Sequence, residues 1–401
     1  MMRVMVAAAG ATLSGVLLSG CPLVPQMPAP IAPLDGSVIS GDSAALRAVT
    51  IGTSEVTFFG RRVVAPDPDF TMVALPDTQF YAQDFPATFR AQTQWIIEQR
   101  AARNIISVLH LGDIVDDADE LPQWQAADAA IAVLESDPNL PFGLGVGNHD
   151  EFPRGDPLGT QNFNSYFGVD RFAGSPWYGG HYGVDNDNHY ITFSAGAMDF
   201  VAVFLEFDRD ANPDVLAWAK DVLQQNADRR AIIVTHFALV GHALRNKLSD
   251  QGRAVRDALL SLPNVDLFLG GHFCEAGRRV DEFGGKPVIS ILADYQCRPD
   301  GGEGWLRIME FSPAANELRV KTYSPTRGEF LSGPRHEFTL DYQLHADVPF
   351  ERLGSATPDA NTKIAEFSWT GLAPGATYEW FATRGGSIAP SGPAATFQTA
   401  P

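Results

Sequence analysis

The sequence predicts an α/β layered core, and three observations predict it. Helix-like amphipathic stretches alternate with short apolar runs four times between Ala87 and His272. The runs are continuously apolar, as in strands covered on their faces by helices. Each run also ends in Asp, Asn or His, at the strand ends where ligands collect in such sheets. With 401 residues, 45% of them hydrophobic and 10% aromatic, the chain can bury the core of one large domain plus a small one.

Each element follows in order. Residues 1–21, "MMRVMVAAAGATLSGVLLSGC", combine Arg3, an apolar run and small residues before a cysteine, the pattern of a secretory signal. "LSGC" fits the bacterial lipoprotein signal, which predicts lipidation at Cys21. The expected location is extracytoplasmic, lipid-anchored to a bacterial membrane and facing the periplasm or the cell surface. Residues 22–68 read as a Pro-rich tether, "PLVPQMPAPIAP", with short strands of which "EVTFFG" is the best.

The main domain spans 69–341 and opens with the strand "DFTMVALPDTQF". The repeated grammar follows, from "ATFRAQTQWIIEQRAARN" before "IISVLHLGD" to "GRAVRDALLSLPNV" before "DLFLGGH". "HYITFSAG" and "MDFVAVFLEF" read as a hairpin, and "PVISILADY", "WLRIMEF" and "ELRVKTYSP" as a later antiparallel group. The aromatic, Gly-rich "NSYFGVDRFAGSPWYGGHYGVDNDNHY" is expected to be a substrate-side loop. Residues 342–401 hold short strands between Pro and Gly turns, including "AEFSWTGLAPGATYEWFAT". They resemble the later strands of a fibronectin type III or Ig-like module.

The 29 basic and 48 acidic residues give a formal charge of -19, which argues against a nucleic acid polymer as partner. There are three cysteines; with Cys21 lipidated, Cys274 and Cys297 remain as a possible disulfide in a compartment that permits one.

The chemistry stands at the strand ends: Asp77, Asp113, Asn148 with His149, His236 and His272. Carboxylate, amide and imidazole are ligand types for hard or borderline divalent metals. Singly, each fits a turn residue or helix cap as well; the ordered set does not. "PDTQ", "GDIVD", "GNHD", "VTHF" and "GGH", in that order, resemble the calcineurin-like metallophosphoesterase superfamily over about 70–340.

That resemblance implies a four-layer αββα sandwich with two divalent metal ions, Mn, Fe, Zn or Mg, at the strand ends. Asp113 would bridge both ions, Asn148, His236 and His272 would complete the second site, and Asp77 would hold the first. His149 would be a non-ligand that contacts the phosphate or protonates the leaving oxygen, with Asp116 orienting it and Asp150 as competing partner. The implied function is hydrolysis of phosphate mono- or diesters by metal-activated water.

Two departures fall on the first metal. Gln79 and Cys274 stand where the pattern has histidines. Gln79 offers a neutral carbonyl oxygen. Cys274 is either a thiolate ligand, a disulfide partner of Cys297, or an inert buried cysteine, and His181, His189 and His242 are candidate replacement ligands. The alternative function is a weakly active or inactive phosphoesterase-fold surface binding protein with a depleted first site.

Overall fold

A computed structural model of the chain describes residues 28–52, 54–241, 247–346, 348–384 and 394–401. The expected signal segment with Cys21, and His242, lie outside the described residues. Among the described residues, no helix is long and apolar enough to cross a membrane. The chain forms two compact units, residues 66–345 and a second unit built from segments before 66 and after 345.

Along the larger unit run β1 (Phe70–Leu75), α1 (Pro86–Gln99), β2 (Ile105–His110), α2 (Leu121–Leu134), β3 (Phe142–Leu144), β4 (His189–Ala195), β5 (Met198–Leu205), α3 (Pro213–Gln225), β6 (Arg230–Thr235), β7 (Val265–Gly270), β8 (Glu275–Phe283), β9 (Lys286–Asp294), β10 (Leu306–Ser312) and β11 (Glu317–Ser324). With three short edge strands, Tyr178–His181, Glu329–Phe330 and Phe338–Asp341, they build two seven-stranded sheets. In the first, β1, β2 and β3 are parallel neighbours, and β10 and β11 extend the sheet antiparallel from β1. In the second, β5, β6, β7 and β9 run parallel, with β4 antiparallel at one side and β8 at the other.

Helices form where the apolar spacing and caps allow. On α2 the buried Trp124, Ala127, Ala130, Ile131 and Leu134 recur at three- and four-residue steps, one stripe of a helix. α3 starts with Pro213 in its first turn, and the Asn212 side chain accepts a 2.9 Å hydrogen bond from Asp214 N. Alternation along β5 explains the layers. Phe200, Ala202 and Phe204 enter the core shared with Val73 and Leu109 of the first sheet. Val201, Val203 and Leu205 enter the core shared with Ala219 and Leu223 of α3. The second sheet is thus packed on the first by one face and on helices by the other.

Two local expectations change. "PVISILADY" is not part of the group formed by β10 and β11; it is β9, in the other sheet, parallel to β7. The 164–190 stretch, expected to be a substrate-side loop, sends Phe167, Phe172 and Trp177 into the main core at 0–6% exposure.

The smaller unit has a three-stranded sheet (Ala29–Ala32, Ser43–Val49, Ile364–Thr370) and a five-stranded one (Ser37–Ile39, Val56–Val63, Glu351–Ala356, Thr377–Arg384, Ala395–Thr399). Leu46 and Ala365 from the first share one core with Phe58, Trp380 and Phe397 from the second. Residues read from the sequence as tether and short strands therefore pair with the C-terminal segment. Phe59 lies opposite Phe381, and Leu46 opposite Phe367.

Candidate metal centre

The strand ends of the two sheets bring the predicted residues together. Asp77 follows β1, Asp113 follows β2, Asn148 and His149 follow β3, His236 follows β6 and His272 follows β7. Two of them sit at positive φ, Asp113 at 52° and His272 at 75°. Non-glycine residues rarely adopt that backbone, and it is kept where the surroundings over-determine it. The neighbouring glycines are required sterically. A Cβ on Gly147 would overlap the Asp113 carboxylate, and one on Gly271 the Asp77 carboxylate.

Ligand atoms of Asp113, His236 and His272 lie within 4.8 Å of one another. His236 Nδ1 donates to the Leu111 carbonyl at 3.0 Å, which turns Nε2 toward Asp113 Oδ2 at 3.0 Å and His272 Nδ1 at 3.2 Å. Asp77 Oδ2 accepts from His272 N at 3.0 Å, and Asp113 Oδ1 from His149 N at 3.0 Å.

Charge is concentrated here. Burial works to lower the His236 pKa, but Asp113 and Asp77 outweigh it and push it up to about 10. Burial works to raise Asp113, yet His236 and His149 hold it at about 2. Burial first, and then His236, bring His272 down to about 3. Asp77 is pushed well above the carboxylate range by burial, by Asp294 and by Asp113.

The residues fit divalent cations on a separate ground. Asp77 Oδ1, Gln79 Oε1 and Asn148 Oδ1 are all buried acceptors with no hydrogen-bond partner. Leaving one such oxygen unmet costs about 1–3 kcal/mol, so orphans are rare. Three of them, after β1 and β3, at the same strand ends as Asp113, His236 and His272, form an oxygen-rich donor set for hard cations.

The acid–base pair is also assembled. His149 Nδ1 lies 3.0 Å from Asp116 Oδ1 and 2.8 Å from the Asp116 carbonyl. Two acceptors at one ring nitrogen require a hydrogen there, which leaves the other nitrogen to face away from Asp116. Gln79 Nε2 and Gln83 Nε2 each donate to the Asp116 carboxylate at 3.1 Å. Asp150, the competing partner for His149, is committed elsewhere. It accepts from Ile114 N, Val115 N and Gly147 N at 2.8–3.0 Å and so ties two site loops together.

Cys274 is not a thiolate ligand. It is disulfide-bonded to Cys297, with Cα atoms 5.7 Å apart. His181 and His189 do not join the centre either, since among the described residues only His236 and His272 cluster with Asp113. His181 hydrogen-bonds the Tyr178 hydroxyl, while His189 stacks on Phe204 and hydrogen-bonds the Asn186 carbonyl.

Burial lowers His189 to about 4, below its ordinary 6.5. Between those values the unfolded chain takes up the proton that the folded one refuses, so stability falls as pH drops through this window, by up to about 3 kcal/mol. His189→Phe should remove that part of the acid sensitivity, read as a smaller change in urea midpoint between neutral and mildly acid pH; an unchanged slope would refute it.

One residue at the centre was not read from the sequence. Asp294, the last residue of β9, is fully buried, and it is the foremost acidic neighbour acting on Asp77. The available signal was its place at a strand end, the same grammar as Asp77, Asp113 and His272. Of its neighbours, Tyr295 is buried with its hydroxyl 3.0 Å from Thr322 Oγ1, and Trp305 Nε1 donates to Glu303.

The chain is 32% identical over 376 residues to the uncharacterized protein YvnB of Bacillus subtilis, covering 87% of this chain and 28% of that protein. It thus spans about a quarter of the length of that relative. Among solved structures it is similar to a purple acid phosphatase from yellow lupin (Lupinus luteus) seeds, with TM-score 0.46, 12% identity, and 79% of this chain and 75% of that one covered. A predicted phosphoesterase from Streptococcus pneumoniae aligns with TM-score 0.29, 11% identity, and coverage of 68% and 98%. The sequence model of the calcineurin-like phosphoesterase family matches residues 70–276, the stretch that holds Asp77, Asp113, His149, His236 and His272, and the chain belongs to that family.

Proposed function

We propose that this protein is a metal-dependent phosphoesterase that hydrolyses phosphate mono- or diesters by direct attack of water at a two-cation centre. The observation that carries this is the convergence of Asp113, His236 and His272 with three orphaned buried oxygens beside a paired His149 and Asp116. Asp113, Asn148, His236 and His272 would hold one cation, and Asp77, Gln79 and Asp113 the other. Bound divalent cations supply Lewis acidity and lower the pKa of water.

The chain's own groups supply the rest. Asp116 accepts the Nδ1 proton of His149, fixing its tautomer and the orientation of the ring. The opposite ring nitrogen is then placed to give a proton to the leaving alkoxide or phenolate. Gln79 and Gln83 hold the Asp116 carboxylate still. Arg154, which bonds the Asp116 carbonyl at 3.0 Å, holds the same loop from its exposed side.

We infer further that the protein is extracytoplasmic and lipid-anchored through Cys21; the Cys274–Cys297 disulfide supports an oxidising compartment. The smaller β unit we read as a fibronectin type III-like packing or spacing module, supported by its two sheets around one core.

The test is hydrolysis by the purified, metal-stripped chain across a panel of aryl and alkyl phosphate mono- and diesters, with Mn, Fe, Zn or Mg returned singly. Turnover that appears with metal and disappears with chelator is the expected result. Binding of metal and phosphate without turnover of any ester would overturn catalysis and favour a binding role.

A further inference from the structure

We propose that Asp294 is a ligand of the cation on the Asp77 side of the centre, in the place left by Cys274. This rests on the two-cation reading and adds a residue outside the motifs that suggested it.

Register places the residue. β7 and β9 pair in parallel with Gly270 opposite Leu292. Just beyond that pair His272 follows β7 and Asp294 closes β9, so the carboxylate and the imidazole stand at the same sheet end. His272 N bonds Asp77 Oδ2, which brings Asp77 to that corner from the other sheet.

Asp294 is fully buried, and among the described residues it forms no ion pair with any arginine, lysine or histidine. Its two bonds come from one neighbour: Gln296 N donates to Oδ1 at 2.8 Å, and Gln296 Nε2 to Oδ2 at 3.1 Å. A carboxylate has about four lone-pair directions, so each oxygen retains accepting capacity. Gln296 thus orients the group without neutralising it.

Asp77 is 2% exposed and keeps Oδ1 without a partner. Two carboxylates buried as neighbours repel, and desolvating such charges is costly unless a positive charge joins them. A cation shared by the two meets both needs.

The disulfide completes the arrangement. It withdraws the Cys274 sulfur from ligation and ties the loop after His272 to the loop three residues after Asp294. The first cation would then be held by oxygens alone, from Asp77, Gln79, Asp113 and Asp294, while the second keeps two imidazoles. An all-oxygen set selects Mn or Mg over Zn, whereas imidazoles accept Zn or Fe. The centre is therefore asymmetric in the metals it prefers.

The experiment titrates the metal-stripped full chain with Mn, following free Mn by electron paramagnetic resonance, and compares wild type with Asp294→Asn. Wild type should bind two ions per chain. The Asn variant should retain one and bind the other about tenfold or more weakly, a loss of the size seen when the shell of a metal site is altered. In chelator, the variant should melt no lower than wild type, because repulsion with Asp77 is relieved.

Two ions bound with unchanged affinity by the variant would overturn the role of Asp294 while leaving the two-cation reading intact. A variant that melts well below wild type in chelator, or fails to fold, would mark Asp294 as structural and equally overturn it. Fewer than two ions on wild type would overturn the two-cation reading itself, and Asp294 with it.

Discussion

Asp113→Asn will lower turnover of an aryl phosphate ester by about a thousandfold or more, equivalent to several kcal/mol of lost transition-state stabilisation. Asp113 is 1% exposed, and both its oxygens are engaged, Oδ1 by His149 N and Oδ2 by His236 Nε2. Asparagine has the same shape but no charge, and one end of its amide must present N–H groups where the carboxylate now accepts. The His149 loop, or the His236 ring, then loses its partner.

The proposed bridging role fails as well, because a neutral amide cannot offset repulsion between two cations. Breaking a buried charge pair from one side costs about 3–5 kcal/mol on its own. Metal content should fall together with rate, and the increase in melting temperature on adding Mn should shrink. A variant with full metal content and wild-type turnover would refute the assignment.

His149→Ala should behave differently. General acid catalysis contributes about a hundredfold to ten-thousandfold, and that is the loss expected for an alkyl phosphate whose leaving oxygen needs a proton. For an aryl phosphate with an acidic leaving phenol the loss should be much smaller. Metal content should stay near wild type, since the contact between His149 and Asp113 is made by the backbone N–H, which alanine keeps. Asp116→Asn should move both esters in the same direction by less, because the Asp116 carbonyl still faces His149 Nδ1. An equal loss on alkyl and aryl esters would rule out proton donation.

Much of the centre was legible in the chain. Asp77, Asp113, Asn148, His236 and His272 were found because a strand-then-ligand grammar is local. An apolar run specifies a buried strand, and the next few residues must then lie at its end. The pairing of His149 with Asp116 came instead from the family resemblance, which left Asp150 as a competing partner. Asp150 was harder to place: its three backbone partners come from two loops that meet only in the fold.

What stayed hidden depended on pairing between distant segments. β9 looks like any apolar strand, and nothing in "PVISILADY" says that it lies parallel to β7. That partnership needs β8 to turn back first, and it alone carries Asp294 to the centre. Likewise "EVTFFG" reads as a strand, but its neighbour Thr377–Arg384 is more than 300 residues away.

The sequence by itself determined the layered α/β class, the strand ends and most of the donor set, because hydrophobic periodicity and residue chemistry act over a few residues. Only the tertiary structure decided which strands are neighbours, that Cys274 is joined to Cys297 rather than left as a thiolate, and that the buried Asp294 carboxylate closes β9 at the sheet end where His272 follows β7. The reason is physical: strand register and cross-linking are set by the mutual burial of surfaces far apart in the chain, and such pairings leave no local pattern in either partner.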